Sequence, residues 1–178
     1  FLHEAVKTDP KNALARNNLA AILSQIGRGE AALQQVKKAL ALNPHEAMFF
    51  KNLLLIYRNM GEPQRFQKEY EGYRASGEKD LAFGYGIVLA RQLRQEGFGL
   101  YSKEQMGPAI TKFEEMAEIY QTIEHIPGLT AAWFSLGLLY EEEGDTGKAL
   151  ECFEKVLSIS PHHIQAREKH KNLKNFPK

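Results

Sequence analysis

Residues 131–161 read AAWFSLGLLYEEEGDTGKALECFEKVLSISP. Trp133, Leu136, Gly137 and Tyr140 fall at three- and four-residue spacing, which puts them on one face of a helix. Gly144 follows, and glycine ends a helix because it takes the left-handed conformation at little cost. Ala149, Phe153 and Val156 then mark the inner face of a second helix. Pro161 stops that helix, since proline lacks an N–H and restricts the residue before it. The stretch therefore predicts two antiparallel helices, 131–143 and 146–159. The small residues Gly137 and Ala149 let the two helices approach closely.

The pattern recurs upstream with a period of 34. Asn43-Pro44 follows Asp9-Pro10 by 34 residues, and Gly61 follows Gly27 by the same interval. Such a period is the mark of a repeat architecture. Residues 1–9 read as the end of a second helix, 13–26 and 30–42 as one pair, and 47–60 and 63–76 as the next. Pro63 suits a first helical position. A third, irregular pair is expected over about 81–96 and 108–125, with Leu89, Ala90, Leu93 and Gly97 facing inward. Residues 97–107 between them are expected as a long loop, with Ser102 and Gln105 able to form a capping box. A last helix, 164–175, has no partner of its own.

Trp133, Leu136, Gly137, Tyr140, Gly144, Ala149, Phe153 and Pro161 resemble the tetratricopeptide repeat signature at nearly every landmark. Only Val156 departs, where that family usually carries alanine. The resemblance is good over 13–46, fair over 47–80 and poorest over 83–129. It implies an all-α fold, a right-handed superhelical solenoid of antiparallel helix pairs. The expected segments are 1–12 (the end of a preceding repeat), 13–46, 47–80, 81–129 (irregular, with insertions), 130–163, and a capping helix over 164–178. Each pair exposes an apolar face that only the next pair can bury, and a polar terminal helix keeps the end soluble. Phe1 falls partway through a repeat, as it would in an excerpt of a longer chain.

The resemblance further implies that first helices line a concave groove that holds a peptide or partner protein. The residues about 130° round each first helix from its core face would line that groove. Among them are Asn17, Met48, Lys51, Leu55, Arg58, Ile87, Arg91, Arg94, Phe134 and Leu138, with Gly84 in the same set. Asn18 and Asn52 hold the same place in adjacent repeats, similar to the asparagine ladder with which some family members grip a peptide backbone. An amide both donates and accepts, so it can pair with any main chain. The apolar members and four cations together suit an acidic peptide. The alternative is that the apolar members pack against neighbouring first helices and the cations are simply solvated. Phe98, Leu100 and Tyr101 form a candidate docking loop, or else tuck over the long second helix.

Composition narrows the function classes. The 178 residues carry 23 Lys and Arg against 22 Asp and Glu, a net charge of +1. Whole-molecule charge thus points to neither nucleic acid nor membrane. No apolar run approaches the roughly 20 residues of a membrane span. The one cysteine, Cys152, excludes an internal disulfide and fits a reducing, cytoplasmic setting. No catalytic constellation, phosphate loop or spaced metal set is present, so no cofactor is expected. The function expected is a non-catalytic scaffold or adaptor. A self-assembling structural module, or the recognition part of a longer enzyme, are the alternatives.

Overall fold

The computed structural model describes residues 2–175. The expected terminal positions 1 and 176–178 lie outside the described residues. Ten helices follow in order: α1 (Leu2–Thr8), α2 (Ala13–Gln25), α3 (Gly29–Leu42), α4 (Ala47–Asn59), α5 (Gln64–Ser76), α6 (Lys79–Tyr101), α7 (Met106–Thr122), α8 (Ile126–Glu143), α9 (Thr146–Ile159) and α10 (Ile164–Asn175). The described residues contain no strand. The fold is an all-α array of antiparallel helix pairs. It divides into two compact units, Phe1–Val88 and Leu89–Lys178, and α6 contributes to both.

In the first unit α2 packs on α3, and both pack on α4. Leu19, Ala20 and Leu23 meet Ala32, Val36, Ala39 and Leu40, and all are buried. Phe49, Phe50, Leu53 and Ile56 continue the core along α4, then Phe66 and Tyr70 along α5 and Tyr85 on α6. Gly84 faces the Phe50 ring, where a Cβ would lie 2.1 Å from the ring. It marks a close approach of α4 and α6 rather than groove lining.

The Glu69 carboxylate ties four helices of this unit together. It accepts from Lys37 Nζ of α3 at 2.5 Å, the Tyr57 hydroxyl of α4 at 2.7 Å and the Tyr85 hydroxyl of α6 at 2.5 Å. Burial alone would raise its pKa, but the hydrogen bonds from Lys37, Tyr57 and Tyr85 outweigh burial and hold it below the usual value. Burial and the Glu69 charge push Tyr57 and Tyr85 far up.

In the second unit α7 packs on α8, α8 on α9 and α9 on α10. Gly137 lies against Phe153, whose ring would stand 2.6 Å from a Cβ there. The Tyr140 hydroxyl donates to Glu114 of α7. The terminal helix α10 buries Ala166 and Leu173 and turns most other side chains outward, as a cap does. Lys169 pairs with Glu141 at 2.8 Å, while His170 and Lys174 both reach Glu154.

The turns repeat one geometry. After α2, Arg28 N–H bonds back to Leu23 O while Gly27 N–H bonds to Ser24 O. The same pair of bonds, six-to-one around five-to-two, closes α4, α5, α6, α7 and α8. Four of these turns use glycine at positive φ: Gly27, Gly61, Gly77 and Gly144. The turns after α6 and α7 use Glu104 and Glu124 instead, at φ 60° and 56°.

The irregular third pair differs from expectation. The long loop over 97–107 is largely helix, because α6 runs on to Tyr101. Gly97 is buried against Phe113 and so belongs to the packing rather than to a break. No capping box forms. Ser102 Oγ donates to Phe98 O, and Gln105 makes no side-chain cap bond. At the far end α7 stops at Thr122, not 125, and α8 begins at Ile126.

Candidate partner-binding surface

Met48, Lys51, Leu55 and Arg58 lie at three- and four-residue steps along α4, which brings them to one face of that helix. All four are exposed, Met48 by 43% and Leu55 by 53%. Leu14, on α2, is 52% exposed. Lys51 and Arg58 make no ion pair among the described residues. Lys37 and Arg65 of the same unit do, with Glu69 and with Glu30 and Glu62.

The asparagines are arranged otherwise than a ladder at equal repeat positions. Asn17 is 1% exposed and accepts at Oδ1 from Asn52 Nδ2, at 2.9 Å. Asn59 Nδ2 donates to Ser24 Oγ at the same distance one heptad further on. Both bonds cross the α2–α4 seam and join residues 35 apart, one more than the repeat period. Asn18 is exposed and takes no part in them. The shared 35-residue spacing of Asn17/Asn52 and Ser24/Asn59 is the sequence signal that identifies this seam. Asn17 Nδ2 is buried there without a hydrogen-bond partner. Ile87 is also buried, at 9%.

In the second unit Arg91 and Arg94 are exposed and unpaired with acids among the described residues. Arg94 lies over the Phe98 ring at 5.5 Å. His125 is held neutral to lower pH by burial and by the charge of Arg91. Leu138 is 36% exposed. Phe134 is half-buried, its ring 5.8 Å from that of Phe153 and 4.9 Å from that of His163. Phe98 packs edge-on against Phe113 at 5.2 Å yet is 47% exposed, and Leu100 is half-buried. The Tyr101 hydroxyl donates to Glu142 at 3.0 Å. Phe98 and Tyr101 thus brace the end of α6 against α7 and α8.

Cys152 is buried, and burial pushes its thiol up to about 11. A thiol this far from its ionised form is a poor nucleophile. No helix among the described residues is long and apolar enough to cross a membrane.

An array of short antiparallel helix pairs, closed by recurrent glycine turns and capped by a polar helix, defines a helical repeat protein. Two stretches match family models for the tetratricopeptide repeat, residues 2–47 and 130–163. The chain carries the tetratricopeptide repeat in these two stretches. It is similar to a TPR repeat-containing protein of Methanocaldococcus jannaschii, with 47% identity over 36 residues, 20% of this chain and 11% of that one. It is also similar to the human tetratricopeptide repeat protein 6, with 36% identity over 67 residues, 38% of this chain and 13% of that one. These matches thus span little more than a tenth of either relative's length. Among solved structures, that of YrrB, described as a TPR protein with an unusual peptide-binding site, aligns with 96% of this chain and 97% of its own. The identity is 21% and the TM-score 0.40.

Proposed function

We propose that this chain is a non-catalytic protein–protein interaction scaffold that holds an acidic, partly apolar segment of a partner on the exposed face of α4. One observation carries the reading. Lys51 and Arg58 stand exposed without acidic partners, alternating with the exposed apolar side chains of Met48 and Leu55. Carboxylates placed against such cations form charge-assisted hydrogen bonds, and apolar side chains between them fill the intervening surface. Arg91, Arg94 and Leu138 offer the same mixture separately in the second unit. The two matched repeats are those of a family built from interaction modules, which supports the reading.

The test is fluorescence anisotropy with a labelled peptide that alternates glutamate and leucine, against the wild type and Lys51→Glu/Arg58→Glu. The expected result is saturable binding that weakens about tenfold or more in the variant, as removal of close charge pairs does. It should weaken also as salt shortens the screening length. Equal binding by both proteins, or tighter binding of a peptide with lysine in place of glutamate, would exclude the α4 face as the acidic-segment site.

A further inference from the structure

Three tyrosines gather beside Glu69, and the packing of the helices accounts for two of them. The Tyr57 and Tyr85 hydroxyls donate to the Glu69 carboxylate. Tyr73 stands one helical turn beyond Glu69 on α5, half-buried, with its ring 5.4 Å from that of Tyr85. Its hydroxyl makes no hydrogen bond among the described residues.

Tyr73 and Tyr85 line a cavity of about 400 Å³. Leu40 of α3, Pro44 and Leu81 of α6 add apolar surface to it. The volume falls in the range of small-molecule sites, roughly 300–1,000 Å³, and so does the make-up of the wall, apolar and aromatic with a few polar groups. No residue of α4 lines it. The cavity is therefore separate from the α4 face and does not rest on the peptide reading.

The charges around the cavity decide the sign of its occupant. Lys37 lines it, but its ammonium is already engaged by Glu69 at 2.5 Å, and the two charges cancel. Glu78, Lys79 and Asp80 also line it. All three are exposed, and none makes an ion pair among the described residues. Two carboxylates thus stand against one ammonium. Tyr73 lies in the resulting field: burial first, then the charges of Glu69 and Glu78, raise its pKa. An aromatic ring beside an excess of negative charge attracts a cation and disfavours an anion.

We propose that this cavity is a binding site for a small free organic cation, an amine or quaternary ammonium with an apolar body. The cationic head lies against the Tyr73 ring, where Glu78 and Asp80 supply the opposite charge. The apolar body fills the space beside Leu40, Pro44 and Leu81.

The test is an amide NMR titration of the 178-residue chain with benzyltrimethylammonium, alongside phenylmethanesulfonate as an anion of similar size. The expected result is saturable shifts at the amides of Tyr73, Lys79 and Leu81, half-complete on the order of 1 mM, as suits a ligand of so few atoms. The sulfonate should move them little. Tyr73→Leu should weaken binding of the cation about three- to tenfold, whereas Tyr73→Phe, which keeps the ring, should bind as the wild type does. Should Tyr73→Leu prevent folding, Glu78→Gln/Asp80→Asn changes only exposed side chains and should weaken binding about threefold. Failure of the cation to saturate by about 10 mM would overturn the proposal. So would equal or tighter binding of the sulfonate, which would make the cavity an anion site of Lys37 and Lys79. Full affinity in both Tyr73→Leu and Glu78→Gln/Asp80→Asn would overturn it as well.

Discussion

Glu104 and Glu124 hold a backbone conformation that costs a residue with a Cβ about 1–2 kcal/mol. Glycine at either position would remove that strain but enlarge the conformational freedom of the unfolded chain, which offsets part of the gain. Glu104→Gly and Glu124→Gly are therefore each expected to stabilise the fold by about 0.5–1 kcal/mol. The check is the urea midpoint at unchanged m-value. The same two residues explain where the sequence misled. Gly27, Gly61 and Gly144 announce their turns, and those helix ends fall within a residue or two of expectation. Glu104 and Glu124 adopt the same geometry without the residue that signals it. Spacing accordingly ends α6 near 96 and α7 near 125, against Tyr101 and Thr122 in the structure.

At the scale of the element, the start of α8 shows why Pro127-Gly128 is not a break. Proline in the first turn gives up only an N–H that has no helical partner. Gly128 packs against Tyr120 with no room for a Cβ, and its N–H donates to His125 Nδ1 at 3.0 Å. Residues 126–130, which periodicity alone leaves outside the helix, become its first turn. The cap has a consequence for pH. His125 can accept through Nδ1 only while neutral, and burial together with the Arg91 charge lowers its pKa below the ordinary value. The folded state thus binds the proton less readily than the unfolded state. This contribution to stability is full above about pH 6.5 and is lost as pH falls through the lower folded value. The protection of the Gly128 amide against hydrogen exchange, relative to its intrinsic rate, should fall as pH drops through that window. In His125→Asn, whose side chain caps without titrating there, that fall should vanish. Arg91→Ala should move the transition to higher pH, toward the ordinary histidine value.

For the whole molecule, periodicity made the helix pairs legible, because the contacts that define a repeat are made between residues at fixed spacing. The surface was less legible. Whether Asn17, Ile87 or Phe134 faces solvent depends on how far a neighbouring helix reaches across it, and spacing within one helix is silent on that. Lys51 and Arg58 were readable as surface residues, but their want of acidic partners was not. The two units now give a quantitative expectation. Glu69→Ala leaves the hydroxyls of Tyr57 and Tyr85 without their acceptor, and both residues are almost wholly buried, at 0% and 1%. Unsatisfied buried donors put the cost at about 2–3 kcal/mol. Gly137→Ala drives a Cβ into the Phe153 ring, an overpacking worth about 1–3 kcal/mol. Glu69 and Gly137 each act within their own unit. Sites without common partners combine additively to within about 0.5 kcal/mol. The double variant should therefore lose the sum of the two single losses in denaturant titration. A deficit or excess above about 1 kcal/mol would mean that the array transmits strain along its helices rather than storing stability as a sum of local repeat and interface terms.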